Sequence, residues 1–382
     1  MRSLLRFCGL RKHGQEHNHY TPPTFIQPPP PPPPAPAMQL QPAEYPIIPP
    51  LPYPIPYNHV DAHLHALAGQ AEGFGCQSVG GLHGQIYHVT TLNEDGEGSL
   101  RFACRLSKPL WIVFDVSGII RLSSAIRVQS FKTIDGRGQR IKITGKGLQL
   151  YECEHVIICN LEFEGGRGDD VDAIQLKPRS KHIWIDRCSL SDYDDGLIDI
   201  TRQCTDITVS RCHFFNHNKT MLIGADPSHV DDRCIRVTIH HCFFDGTQQR
   251  HPRVRFGKVH LYNNYTRNWR IYAVCASVES QILSQCNIYE AGSKKKTFEY
   301  YYEKASDQHM EATGSICSEG DIFLNGAVGI PKNPELVFRR EVYSHKCSIS
   351  HCTQDLVAMI KSLAGWQQIP RPFVDHLVQA TH

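Results

Sequence analysis

Six short β-rich segments recur along the middle of this 382-residue chain at intervals too short to hold a helix between them. Their first residues are separated by 27, 24, 30, 22 and 23 positions. A β-α-β unit needs roughly 30 residues or more with a helix-length periodic stretch, whereas intervals of this size are typical of one coil of a solenoid. The segments therefore predict an all-β fold, a right-handed single-stranded parallel β-helix. The six segments are His155–Phe163, His182–Leu190, Asp206–Phe214, Arg236–Phe244, Lys258–Thr266 and Gln281–Tyr289.

The positions within each segment indicate which residues point inward. Apolar or branched residues occupy the second and fourth positions, as in Val156 and Ile158, so one face of each strand is buried. The seventh position should stack from coil to coil as an internal ladder at the strand spacing of about 4.8 Å. We expect its thiols to act as small buried hydrophobic groups rather than redox groups. The ladder residues are Leu161, Cys188, Cys212, Cys242, Asn264 and Asn287.

Composition divides the chain into three parts. Residues 1–71 form a proline-rich arm that includes the run Pro28–Pro34, and proline favours an extended conformation without a core. The arm is either a flexible leader or a docking segment for a partner with an aromatic-lined groove. Residues 72–332 form the β-helix. Residues 333–382 form a capping segment, in which Asp355–Leu363 has helical periodicity and is expected to cover the open end of the solenoid.

The charge balance excludes several classes of partner. Forty basic and 38 acidic residues leave a net charge of +2, too weak a field to indicate nucleic acid or an anionic membrane.

No apolar run approaches the roughly 20 residues of a membrane-spanning helix. The apolar stretches near the N-terminus are shorter than the core of a conventional secretion signal, so none is expected. We expect a monomer.

Acidic residues cluster in two segments that lie about one coil apart. Successive coils should bring Asp170 and Asp172 beside Asp195 and Asp199. Four converging carboxylates would form an all-oxygen site, which suits Ca²⁺ better than a transition metal. The alternative is that these are solvated turns, where aspartate is common.

Basic residues follow on the next two coils. Lys219 comes first, and the segment Arg250-His-Pro-Arg-Val-Arg255 follows it. Three arginines in six residues are either a solvated face or, beside the acidic cluster, a site for a polyanion.

Motifs along the chain resemble those of the plant and bacterial pectate lyases of polysaccharide lyase family 1. The resemblance runs in collinear order from about residue 72 to 330 and implies the same right-handed parallel β-helix. It also implies calcium-dependent β-elimination in polygalacturonate, which would be the partner, and hence a cell-wall or extracellular location. The motifs are Gly73-Phe-Gly, Phe131-Lys-Thr-Ile-Asp-Gly-Arg-Gly138, Asp170-Val-Asp-Ala-Ile174, His182-Ile-Trp-Ile-Asp186, Asp195-Gly-Leu-Ile-Asp199, Arg250-His-Pro-Arg-Val-Arg255 and Asn325-Gly-Ala327.

The resemblance implies a role for each matching residue. Arg250 matches the proposed catalytic base, Lys219 the lysine that holds a substrate carboxylate, and Arg255 a second uronate-binding arginine. Because arginine is normally protonated, its role as a base predicts activity that rises toward alkaline pH. The implied calcium predicts activity that is lost with chelator. The residues implied as calcium ligands are Asp170, Asp172, Asp195 and Asp199.

One departure and three alternatives accompany the resemblance. Arg187 occupies a position where the family usually has histidine, and strand alternation should place it away from the carboxylates, as an outer supporting residue or on the surface. Trp184 and Trp269 are expected to pack rather than bind sugar. The alternatives are a non-catalytic uronate-binding β-helix, a calcium-free pectin lyase that would lack the carboxylates, and a hydrolase that activates water with paired carboxylates.

Overall fold

Three parallel sheets of ten, nine and eight strands run side by side along the solenoid. The computed structural model describes residues 64–339 and 347–369. Residues 1–63 of the predicted arm, which spans 1–71, and the last 13 residues lie outside this part of the chain. The ten-stranded sheet contains β1 (Gln85–Val89), β2 (Leu110–Phe114), β5 (Lys132–Asp135), β8 (Glu154–Cys159), β11 (Lys181–Asp186), β14 (Thr205–Ser210), β17 (Arg236–His240), β20 (Lys258–Tyr262), β23 (Gln281–Gln285) and β26 (Ser315–Glu319).

The other two sheets take the remaining strands of each coil. The nine-stranded sheet contains β3 (Gly118–Arg121), β6 (Ile141–Gly145), β9 (Glu162–Gly166), β12 (Ser189–Tyr193), β15 (His213–Phe215), β18 (Phe243–Asp245), β21 (Tyr265–Arg267), β24 (Ile288–Glu290) and β27 (Ile322–Leu324). The eight-stranded sheet contains β4 (Ile126–Val128), β7 (Leu148–Leu150), β10 (Ile174–Leu176), β13 (Gly196–Ile200), β16 (Lys219–Ile223), β19 (Arg253–Val254), β22 (Val274–Ala276) and β25 (Phe298–Tyr300). The helices are α1 (Leu100–Arg105) and α2 (Gln354–Leu363), with 3-10 turns at Leu64–Leu67, Gly73–Gly75, Val230–Cys234 and Pro334–Leu336.

All six predicted segments supply neighbouring strands of the ten-stranded sheet, β8 to β23, and continue into the nine-stranded sheet. The repeat therefore predicted the coil correctly, but it missed the earlier coils. Strand β2 is buried on both faces because the chain around Leu67 packs over its outer side, where Trp111 and Val113 lie. All five residues of β2 are apolar, so its sequence lacks the alternation by which the later coils were recognised.

The predicted internal ladder is confirmed. Cys188, Cys212 and Cys242 are fully buried in the core, and every cysteine in the described ranges is a free thiol. Beyond them the ladder is polar and hydrogen-bonded. The side-chain oxygen of Asn287 accepts from both the backbone and side-chain nitrogens of Asn264, each at 2.9 Å. The inward amides thus satisfy backbone groups of the neighbouring coil.

Replacing Asn287 by alanine should lower the free energy of unfolding by about 2–4 kcal/mol, because the buried backbone N–H of Asn264 loses its acceptor and a cavity remains. Urea denaturation measures the change. The exposed Lys304→Ala variant is the control and should stay within about 0.5 kcal/mol of the parent. Equal stabilities for the two variants would contradict a structural role for the ladder amides.

The predicted C-terminal helix is present as α2, but its expected position at the open end of the solenoid is wrong. Its buried residues Leu356 and Ile360 pack on Phe243, Tyr265 and Ile288, along the outer face of the nine-stranded sheet. The Phe243 and Tyr265 rings stack there at 5.2 Å and leave an apolar strip that the helix covers.

The short helix α1 closes the first coils instead. Leu100, Ala103 and Cys104 are buried in the main core, and the helix contacts β1, β2 and β4. Six residues are too few to show helical periodicity, so the sequence did not reveal this helix. Across the described ranges, no helix has the length and hydrophobicity needed to cross a membrane.

Candidate active site

The predicted site residues lie on or beside four adjacent strands of the eight-stranded sheet, β10, β13, β16 and β19. Asp172 lies just before β10, and Asp199 lies on β13. Lys219 is the first residue of β16, and its backbone pairs with Gly196 of β13. Arg250 precedes β19, and its carbonyl oxygen accepts from the backbone nitrogen of Met221 at 2.9 Å. The expectation that successive coils align these segments is confirmed.

Asp172 and Asp199 form a close acidic pair over the backbone of Gly196. A methyl group on Gly196 would lie 2.6 Å from Oδ1 of Asp172 and 2.8 Å from Oδ1 of Asp199. Asp172 is buried and accepts from the Gly196 nitrogen at 2.6 Å and from the Gln175 amide at 2.9 Å. The two carboxyl groups are close enough for the charge of Asp172 to act on Asp199.

Burial disfavours the ionised form of both carboxyl groups in this pair. Desolvation, with a smaller contribution from Asp195, raises the pKa of Asp172 to about 6, although hydrogen bonds oppose the rise. Desolvation and the charge of Asp172 raise the pKa of Asp199 well above its ordinary value, while the positive charge of Arg250 opposes the rise. A bound cation would relieve both costs.

The other two predicted carboxylates face lysines. Asp170 is exposed and lies 3.2 Å from the amine of Lys177, and Asp195 forms an ion pair with Lys219. In residues 64–339 and 347–369, no three histidine, cysteine or acidic side chains are close enough together to hold a metal. The structure thus brings two of the four carboxylates together and leaves two beside lysines. Lys177 was not predicted, and no sequence signal separates it from solvated lysines.

The three arginines of the basic segment have different surroundings. Arg250 is half-buried, and its Nε is buried with no hydrogen-bond partner among the described residues. Arg255 is buried, and its Nε and Nη2 donate to the two carboxylate oxygens of Glu303, each at 2.8 Å. Arg253 also donates to Glu303, at 2.9 Å. Glu303 was not predicted, because it lies 48 residues beyond Arg255 and belongs to no motif.

Three further predicted residues lie outside this group. Arg187 follows β11 at the corner between the ten- and nine-stranded sheets, which confirms that it is separated from the acidic pair. It is buried and bonded to Asp186 at 2.7 Å, so it does not lie on the surface. Trp184 and Trp269 are fully buried, as expected of packing residues.

The family model described as pectate lyase matches residues 120–368, which include every predicted site residue. The chain belongs to the pectate lyase family. It is therefore a polysaccharide lyase.

Relatives and solved structures agree with this family assignment. A pectate lyase homologue from Arabidopsis thaliana is 38% identical over 289 residues, 70% of this chain and 74% of the homologue. The cedar pollen allergen Jun a 1 is similar over 81% of this chain and 96% of the allergen, with a TM-score of 0.69 and 31% identity. A pectate lyase of Bacillus sp. N165 in complex with trigalacturonate shares the fold, with a TM-score of 0.56 and 19% identity over 77% of this chain and 98% of that one.

Proposed function

We propose that this pectate lyase is calcium-dependent and cleaves polygalacturonate by β-elimination. The observation that carries the proposal is the acidic pair Asp172 and Asp199 beside Arg250, whose Nε has no hydrogen-bond partner among the described residues. The two carboxylates would supply the negative charge that holds a cation, and Arg250 would supply the base that accepts a proton from the substrate. The family and the trigalacturonate complex of a protein with the same fold support a galacturonate polymer as the substrate.

The donor set fits Ca²⁺. All of its atoms are oxygens, which hard cations prefer, and the two inner carboxyl groups repel each other in a buried position. Asp172 and Asp199 would hold the ion, and Asp170 and Asp195 would join them once the lysines turn to the substrate. When bound, the ion supplies positive charge that stabilises the developing negative charge on a uronate.

The chain's own residues would carry the proton. C5 of a galacturonate unit bears a proton α to the carboxylate, and Arg250 in its neutral form would accept it. The electron pair then forms the C4–C5 double bond as the C4–O bond breaks. The leaving oxygen takes a proton from solvent, and no water adds across the bond. Lys219, released from Asp195, would donate to the substrate carboxylate.

The test follows the 4,5-unsaturated product by its ultraviolet absorbance, with purified protein, polygalacturonate and Ca²⁺. We expect a rise in absorbance that chelator stops and added calcium restores. A calcium-binding protein without any rise between pH 6 and 10 would instead be a uronate binder. Saturated reducing ends would indicate a hydrolase, and a rise that ignores chelator would indicate calcium-free elimination.

Gly196→Ala provides a test of the acidic pair that does not depend on turnover. The added methyl would occupy the space between the two inner carboxylate oxygens and push them apart. We expect calcium affinity, measured by isothermal titration calorimetry, to fall at least about tenfold. Lys294→Ala, on an exposed loop, is the matched control and should bind calcium like the parent. Unchanged affinity in Gly196→Ala would place the calcium site elsewhere.

A further inference from the structure

A row of outward side chains continues from the acidic pair toward the first coils of the eight-stranded sheet. Asp199 pairs in register with Gln175 of β10, Gln175 with Gln149 of β7, and Gln149 with Arg127 of β4. Each of these residues stands between two buried core residues of its strand, so all four side chains point to the same outer face. Three strand spacings, or about 14 Å, separate Arg127 from Asp199.

The two glutamines of this row are hydrogen-bonded to each other and to the acidic pair. The Gln149 amide donates to the side-chain oxygen of Gln175 at 3.0 Å, and the Gln175 amide donates to Oδ2 of Asp172 at 2.9 Å. Gln175 is buried, whereas Gln149 is half-buried. The row therefore carries no charge between Asp199 and Arg127, and its half-buried amide can still bond to a hydroxyl group.

Arg127 ends the row as an exposed cation held against an aromatic ring. Its guanidinium lies 4.3 Å from the centre of the Tyr151 ring, and Tyr151 is itself 42% exposed. No acidic side chain in the described ranges forms an ion pair with Arg127, unlike Lys177, which contacts Asp170. Stacking holds a guanidinium plane while its N–H groups stay available at the edge, and that edge matches a carboxylate. Arg127 is thus placed to take an anion from solution.

The spacing of the row suits a polymer that carries a carboxylate on every unit. One 1,4-linked hexuronate unit spans roughly the distance between neighbouring strands, which is about 4.8 Å. A chain lying along the row would therefore place about one unit over each strand. With one uronate at the acidic pair on β13, the third unit beyond it reaches Arg127 on β4.

We propose that Arg127, held by Tyr151, binds the carboxylate of the galacturonate unit three places from the unit at the acidic pair. This inference rests on the proposed function and extends it, because it makes the length of the substrate a determinant of affinity. The units between the two charged contacts lie over the glutamines, where Gln149 bonds to sugar hydroxyl groups. A chain that spans both charged contacts gains an ion pair that a shorter chain cannot make at the same time.

The test compares cleavage of trigalacturonate and hexagalacturonate by the parent and by Arg127→Gln, with saturating Ca²⁺. Hexagalacturonate can reach the acidic pair and Arg127 together, whereas trigalacturonate cannot. We expect Arg127→Gln to raise KM for hexagalacturonate about three- to tenfold with little change in kcat, since a charged hydrogen bond to the bound chain is lost. Its KM for trigalacturonate should stay within about twofold of the parent. Arg127→Lys should recover part of the loss, and Tyr151→Leu should give a smaller rise.

Arg121→Gln is the matched control, because Arg121 is an exposed arginine of the same coil on the nine-stranded sheet. It should leave KM for both oligomers unchanged. Equal rises in Arg121→Gln and Arg127→Gln would reduce the effect to general attraction of a polyanion and overturn the inference. An equal rise for the three-unit and six-unit oligomers in Arg127→Gln, or no rise for either, would overturn it as well.

Calorimetric binding of the two oligomers to the calcium-loaded proteins separates this inference from the proposed reaction. A parent that forms no unsaturated product, yet binds hexagalacturonate more tightly than trigalacturonate through Arg127, would support the contact and refute the lyase reaction. A parent that cleaves polygalacturonate but loses no affinity for hexagalacturonate in Arg127→Gln would support the reaction and refute the contact.

Discussion

Replacing Arg250 by alanine or lysine should lower kcat on polygalacturonate by about a thousandfold or more while the protein stays folded. General-base catalysis contributes about 10²–10⁴-fold, and the same guanidinium would also contact the developing negative charge. Lysine restores the charge but not the planar group, so it should not rescue the rate. The initial rate of absorbance increase by the unsaturated product measures the effect.

Arg140→Ala is the matched control for this prediction. Arg140 is an exposed arginine paired with Glu162 at 2.8 Å, beside the nine-stranded sheet and away from the acidic pair. Its removal should leave kcat within about twofold. An Arg250→Ala enzyme that retains a tenth of the parent rate would show that another group removes the proton. A rate that is flat between pH 6 and 10 would also contradict the proposal, because a reaction that needs an unprotonated base speeds up as pH rises.

Removing calcium should abolish activity and destabilise the protein most at neutral and alkaline pH. The pKa of Asp172 is about 6 in the folded chain against 3.8 ordinarily. Without calcium, this group favours folding below about pH 4, and the contribution is lost as pH rises through 6. The loss is roughly 3 kcal/mol. Calcium should therefore raise Tm more at pH 8 than at pH 5, where protons compete with it for the pair. Differential scanning fluorimetry with calcium or chelator measures both shifts.

Asp199→Asn tests whether this pH effect belongs to the acidic pair. The neutral amide removes the repulsion, so the calcium-free variant should be more stable than the parent at pH 8. It should also lose most of its response to calcium and at least about a hundredfold in kcat. Asp355→Asn on α2 is the control and should behave like the parent. A calcium-dependent rise in Tm that is equal at pH 5 and pH 8 would argue against ligation by these two carboxyl groups.

The coil could be predicted because its signals are local. An inward residue at every second position, and a repeated segment at coil-length intervals, follow from strand geometry and need no knowledge of distant contacts. The same periodicity placed the segments of Asp172, Asp199, Lys219 and Arg250 on adjacent strands, which the structure confirms. Their roles were inferred from the resemblance to a family, not from the periodicity.

No local sequence pattern indicated the contacts between distant segments. Glu303 reaches Arg255 only because β19, β22 and β25 stack in register, and nothing near residue 303 in the sequence indicates a partner. The same limit explains the misplaced helix α2. Its apolar face was visible in the sequence, but the strip formed by Phe243 and Tyr265 becomes a surface only after the coils have stacked.

Local sequence was therefore enough for the solenoid, its inward ladder and the cluster of charged residues on one side of the sheet. The tertiary structure decided which charged side chains contact each other. It paired Asp172 with Asp199, turned Asp170 and Asp195 toward lysines, and joined two arginines to one glutamate. The physical reason is that hydrophobic periodicity repeats along the chain, whereas each charged contact depends on how residues from separate coils are brought within a few ångströms of one another.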